Sequence, residues 1–136
     1  MRLGRASAYA VLALTHLAEH ENGVPIQGRD IAAACAVPPG HLLKILQQLV
    51  RAQLLSSERG PSGGFALRKP ANEITLLDVI EAIDGPICGD LLMRNAGSGK
   101  GPALGRLEQA CREVAEFART RLAQTVIADL AAGLRS

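Results

Sequence analysis

The chain has 136 residues, 48% of them hydrophobic, so it is long enough and apolar enough to fold around a core and is no disordered segment. Only 2% are aromatic, which leaves Leu, Ile, Val and Ala to build that core. The net charge of +2 hides an asymmetry: residues 1–70 carry eight basic against four acidic side chains, residues 71–136 seven against nine, and a basic first half suits a polyanionic partner.

No apolar run approaches the roughly 20 residues of a membrane span. Residues 1–22 lack a small-residue cleavage site, and His16, Glu19, His20 and Glu21 interrupt the apolar stretch. No secretory signal is therefore expected, and the protein is assigned to the cytoplasm. In that compartment Cys35, Cys88 and Cys111 do not read as disulfide partners.

A first helix is predicted from Ser7, as N-cap, to Glu21, with Tyr9, Leu12, Ala13, His16, Leu17 and His20 at helical spacing. Asn22-Gly23 and Pro25 end it. A short second helix is expected over Gly28 to Cys35, with Ile31, Ala32 and Cys35 on one face. After Ala36-Val37, Pro38-Pro39 starts a third, whose Leu42, Ile45, Leu46, Leu49 and Val50 form an unbroken apolar stripe. Its other face carries Gly40, Lys44, Gln47, Gln48 and Arg51 and no acid. On an isolated helix that pattern is a solvated face. Behind a short helix and a tight turn it reads as the recognition helix of a helix-turn-helix, because amide and cationic side chains pair with base edges and phosphates.

Residues 54–59 and 65–70 flank Gly60-Pro61-Ser62-Gly63-Gly64 and predict a β-hairpin. A hairpin in this position is a wing: Arg59 stands at its tip, Arg68 and Lys69 at its base, and the tip glycines let the backbone approach a groove. Thr75-Leu76-Leu77-Asp78 has the pattern of a capping box and opens a fourth helix that Gly85-Pro86 stops. Gly89, Gly97, Gly99 and Gly101 mark a flexible loop within residues 86–103. Leu104, Leu107, Cys111, Val114, Ala118, Leu122, Val126 and Leu130 then predict one helix running to Ala132, roughly 40 Å long at 1.5 Å per residue. A small domain cannot cover so long a stripe, and the same helix of a second copy is the simplest partner. The fold class is therefore mainly α with a small β-hairpin: a winged helix-turn-helix over residues 1–85, a loop over 86–103, and a long dimerisation helix with the C-terminus over 104–136.

These segments resemble the Rrf2 family of bacterial winged-helix regulators along nearly the whole chain. The resemblance rests on the order and spacing of Met1-Arg2-Leu3 with Tyr9-Ala10, Asp30-Ile31-Ala32, Leu42-Leu43-Lys44-Ile45-Leu46, Arg59-Gly60 with Gly63-Gly64-Phe65 and Leu67, Ile74 to Ile80, and Ala128-Asp129-Leu130. It implies a homodimer on double-stranded DNA, the third helix in the major groove and the wing at the minor groove. The DNA-contacting residues expected on this reading are Arg2, Gly40, His41, Lys44, Gln47, Gln48, Arg59, Gly63, Gly64 and Lys69. His41 stands where Tyr is commoner in the family and Leu43 where a polar residue is, so the resemblance does not carry over an operator sequence.

Many members of the family hold an iron–sulfur cluster on three cysteines ahead of the long helix. Here the usual last position falls at Gly105, Cys111 lies further along, and the stretch between Cys88 and Cys111 has no cysteine or histidine. Cys88 and Cys111 could supply two ligands per subunit, with His16 as a remote third, against the four a cluster commonly has, so the expected reading is no cofactor, with a cluster on Cys88 and Cys111 as the alternative. Cys35 reads as core packing, Cys111 as an interface residue, and Cys88 as the thiol best placed to react. Gly97-Ser98-Gly99-Lys100-Gly101 fails as a phosphate-binding loop, since Arg94 takes the place of the first glycine and Gly101 that of Ser or Thr. His16, His20 and His41 make no metal spacing with an acid or cysteine pair, so no metal site is expected, and no nucleophile–base arrangement points to an enzyme. The expected function is a sequence-specific DNA-binding transcriptional regulator, repressor or activator. The alternatives are an iron–sulfur or thiol redox sensor of the same fold, and a winged-helix protein-interaction module that does not bind DNA.

Overall fold

In the computed structural model, which describes residues 3–20, 22–89 and 101–133, the chain runs α1 (Arg5–Glu19), α2 (Gly28–Cys35), α3 (Pro39–Arg51), β1 (Leu55–Glu58), β2 (Gly64–Leu67), α4 (Leu76–Asp84), α5 (Pro102–Ala123) and α6 (Ile127–Gly133). A 3-10 turn at Ala71–Glu73 precedes α4. The strands pair antiparallel, Leu55 opposite Leu67 and Glu58 opposite Gly64. Ile26 adds a rung by exchanging both backbone hydrogen bonds with Phe65, at 2.9 and 2.8 Å. The fully buried side chains include Leu14, Ile31, Leu42, Leu46, Leu49, Leu55, Ile74, Val79 and Ile127, the aliphatic core that the scarcity of aromatics requires.

The helix-turn-helix forms where the sequence placed it. Ala36 adopts the left-handed conformation (φ 55°), its N–H reaching the carbonyls of Ala32 and Ala33, while Val37 is buried and its N–H bonds the carbonyl of Ala32 at 2.9 Å. Such a C-terminal turn satisfies the orphan carbonyls of α2 and lets Pro39 begin α3 at once. The capping box of α4 is complete: Thr75 Oγ1 accepts from the Asp78 N–H and Asp78 Oδ2 from the Thr75 N–H, both at 3.0 Å.

Three expectations need correction. The first helix starts at Arg5 behind Gly4, so Ser7 is not its cap. Ser7 is buried inside the helix and donates to Asp84 Oδ2 at 2.6 Å, which pins α1 to the end of α4. The inward face is likewise rotated. Ala10, Ala13, Leu14 and Leu17 are buried, whereas Leu12 is exposed and Tyr9 and His16 are only half-buried. The reason is that α1 packs against α2, α3, α4 and α6 together, and its small residues allow close approach.

The last helix is the third correction. It is not continuous to Ala132 but stops at Ala123 and resumes at Ile127. Between them the chain turns back: the Leu76 N–H bonds the carbonyl of Thr125 at 2.9 Å, the Ile127 N–H that of Ile74 at 2.8 Å, and Thr75 and Val126 form a bridge. Asp129 Oδ2 accepts from the Val126 N–H at 3.1 Å and caps α6. Ile127 and Ala131 enter the core against α1, and the 22 residues of α5 span roughly 33 Å rather than 40. Along its course α5 is held to α4 by Arg119, which donates to Glu81; the same carboxylate accepts from the Ile87 N–H at 3.1 Å. Most of the expected loop, residues 90–100, lies outside the described residues.

Because Ile127 is fully buried, Ile127→Ala should lower the unfolding free energy by about 2–5 kcal/mol in urea titration. A variant as stable as the parent would mean that α6 does not belong to the core.

Candidate nucleic-acid interface

Helix α3 divides cleanly. Leu42, Ile45, Leu46 and Leu49 are buried, while Gly40, His41, Leu43, Lys44, Gln47 and Arg51 are exposed and Gln48 is half-buried. No acid occurs between Pro39 and Arg51. Two neighbours extend this surface. On one side the first turn of α1 brings Arg5, Ala6 and Tyr9 alongside His41, Lys44, Ile45 and Gln48, around an open cleft of about 510 Å³. On the other, Gln47, Val50 and Arg51 share a cleft with Ser57 and Phe65 of the hairpin. Arg5 was missed in the sequence because taking Ser7 as the cap put Arg5 outside the helix. The signal was the basic first half, which already counted it.

The hairpin glycines separate into two kinds. Gly63 is buried, and a Cβ there would lie 2.3 Å from the carbonyl oxygen of Glu58. Gly64 has φ +146°, and its Cβ would lie 2.4 Å from the carbonyl oxygen of Ile26. Gly63 is therefore demanded by closure of the hairpin, and Gly64 by the rung that Ile26 adds beside it. Gly40 is the opposite case: a Cβ there meets nothing within 4 Å, so the fold does not require glycine. Arg59 is exposed beside the tip, where the Gly63 N–H bonds the carbonyl of Gly60 at 3.0 Å. Gln27 Nε2 donates to the carbonyl of Pro61 at 3.0 Å and ties the tip to the start of α2. Arg68 and Lys69 are exposed at the base, and Arg2 lies outside the described residues.

The cysteines lie elsewhere. Exposed Cys88 and half-buried Cys111 line one apolar cleft of about 410 Å³ with Ile87, Val114 and Ala118. Gly89 sits so close to α5 that a Cβ would be 2.5 Å from backbone atoms of Cys111 and Arg112. His16 does not join them; it groups with Glu19 and His20. Within one chain the cleft supplies two thiols, fewer than the four ligands an iron–sulfur cluster commonly takes. Burial, and then the charge of Glu19, push the Cys35 thiol up from its ordinary pKa, which keeps it in the unreactive protonated form. Burial and then His20 lower the pKa of His16, with Glu19 opposing them.

Comparison with known proteins identifies the family. The profile of the Rrf2 family, described as an iron-dependent transcriptional regulator, matches residues 3–133. A protein of Mycobacterium tuberculosis named as an HTH-type transcriptional regulator is 36% identical over 136 residues, covering 98% of this chain and 83% of that protein. The regulator IscR of Photorhabdus laumondii is 37% identical over 84 residues, covering 62% of this chain and 51% of IscR. Among solved structures, CymR of B. subtilis, the global cysteine regulator, superposes with a TM-score of 0.71 at 25% identity and covers 97% of both chains.

The two kinds of glycine make a testable distinction. Gly64→Ala should lower the thermal midpoint of the free protein, since a positive φ with a side chain costs about 1–3 kcal/mol before any collision. Gly40→Ala should leave that midpoint unchanged. A Gly64→Ala protein as stable as the parent would show that the wing tolerates the side chain.

Proposed function

The chain belongs to the Rrf2 family of helix-turn-helix transcriptional regulators, and from that premise we propose that it reads DNA as a homodimer, through α3 in the major groove and the wing at the minor groove. The observation that carries this reading is the acid-free outer face of α3, flanked by Arg5 on one side and by the hairpin on the other. The N-terminal turn of α3 points unpaired N–H groups and the positive end of the helix outward, which favours a phosphate. Gly40 there lets a backbone come close. His41, Lys44 and Gln47 supply donors for base edges, and exposed Leu43 offers apolar contact for a thymine methyl group. Arg5, Arg51 and Lys69 act on phosphates, and Arg59 enters the narrow groove.

Dimerisation is proposed through α5. No residue of that helix is buried within the chain, and Phe117, Val114 and Leu107 are 75%, 66% and 50% exposed. A second α5 is the partner that a two-fold axis supplies most simply, and it would set the two α3 helices at a fixed half-site spacing. Among the described residues no helix is long and apolar enough to cross a membrane.

Fluorescence anisotropy on an operator selected with the purified protein tests the proposal. Arg59→Ala should lose about 1–3 kcal/mol on that operator. Lys44→Ala should weaken binding to every sequence and reduce the salt slope by about one. Unchanged affinity in both variants, or binding that ignores salt, would contradict it.

A further inference from the structure

The last turn of α1 brings together three side chains able to ligate a metal. His16, Glu19 and His20 occupy positions i, i+3 and i+4, which one face of a helix brings together. One ligand atom from each lies within 4.8 Å of the others. Small rotamer changes would seat all three on one ion at the usual distance of about 2.0–2.2 Å.

A second observation concerns the protons. Nδ1 of His20 lies 2.9 Å from the carbonyl oxygen of His16, which can only accept. That nitrogen therefore donates, which leaves Nε2 as the nitrogen to face a metal. Ligating histidines are commonly fixed in this way, one ring nitrogen donating to a carbonyl while the other faces the metal. The two rings stand 4.3 Å apart between centroids. His20 also lines a cleft with Asn22, Gly23 and Val24, which gives an ion a route from solvent. The site lies at the carbonyl end of α1, where the helix dipole favours a cation.

We propose that His16, Glu19 and His20 form a binding site for one divalent transition-metal ion, with Zn2+ as the ion that fits it best and solvent completing the coordination. Two imidazoles and one carboxylate suit an ion of borderline softness. Mg2+ and Ca2+ prefer all-oxygen sets, and Cu+ prefers sulfur. Three protein ligands leave the fourth position open. The site is separate from the cleft of Cys88 and Cys111. It also precedes the segment in which Ile26 pairs with Phe65 of the wing, and His20 shares its cleft with Phe65 and Leu67, so a bound ion sits close to the wing.

The test uses the full chain stripped with a chelator, then titrated with Zn2+ by calorimetry and with Co2+ by visible absorption. One ion per chain should bind at micromolar concentration, and the Co2+ spectrum should lack thiolate charge-transfer bands. His20→Ala and Glu19→Gln should each weaken binding by at least about tenfold. The double variant Cys88→Ser with Cys111→Ser should bind like the parent. His20 is exposed, so its variant should fold, as circular dichroism will show. No binding at micromolar metal, binding unaffected in His20→Ala and Glu19→Gln, or binding lost only in the cysteine variant would each overturn the proposal.

Discussion

The fold depends on a short piece of backbone pairing far from any reading surface. Residues 74–76 and 125–127 exchange two hydrogen bonds, at 2.9 and 2.8 Å, and so join the start of α4 to the end of α5. This pairing returns the chain to the core through Ile127. It also fixes one end of α5, while Arg119 on Glu81 and Gly89 against Cys111 and Arg112 fix its side. A helix held along one side by its own domain cannot swing to cover its other side. The bare positions at Leu107, Val114 and Phe117 follow from that restraint. Burying an aliphatic or aromatic side chain of this size is worth about 1.5–3 kcal/mol. Six of them across a two-fold contact contribute on the order of 10 kcal/mol, comparable with the cost of association. The proposed dimer is thus the counterpart of a clasp inside each subunit.

Much of this was legible in the sequence because the signals were strong and local. Pro38-Pro39 with the stripe from Leu42 to Leu49 gave α3, the Gly60–Gly64 stretch gave the hairpin, and Thr75 with Asp78 gave the start of α4. The break in the last helix was hidden because Gln124-Thr125-Val126 contains neither glycine nor proline. Its signal was subtler: Asp129 follows Val126 by three residues, as Asp78 follows Thr75, and three β-branched residues, Thr125-Val126-Ile127, stand in a row before it. The apolar period ran through the break unchanged, so Val126 and Leu130 seemed to continue a stripe, whereas the residues entering the core are Ile127 and Ala131. In α1, the hydroxyl of Ser7 suggested a cap, when its partner is a carboxylate 77 residues away.

The same division applies to the candidate sites. The outer face of α3 could be read from one helix, because its chemistry and its period lie in one segment. Arg5 and the two clefts beside α3 needed the tertiary structure. Gly63 and Gly64 are required by backbone contacts, with Glu58 and Arg59 of the hairpin and with Ile26 beside it, whatever they do at DNA, while Gly40 has no such requirement. The histidines read as no metal spacing in the sequence, and it is the ligand atoms of His16, Glu19 and His20, within 4.8 Å of one another on one turn, that bring the group out.

The claim on which the rest turns is that α5 joins two copies and that DNA reading needs the pair. Sedimentation velocity at micromolar concentration, on the parent and on Phe117→Asp, measures it most directly. Phe117 is exposed, so an aspartate there leaves the fold of one chain intact and places a charge in the proposed contact. The account predicts a dimeric parent and a folded, monomeric variant that no longer binds a two-half-site operator. A monomeric parent, or a Phe117→Asp protein that remains dimeric, would contradict it.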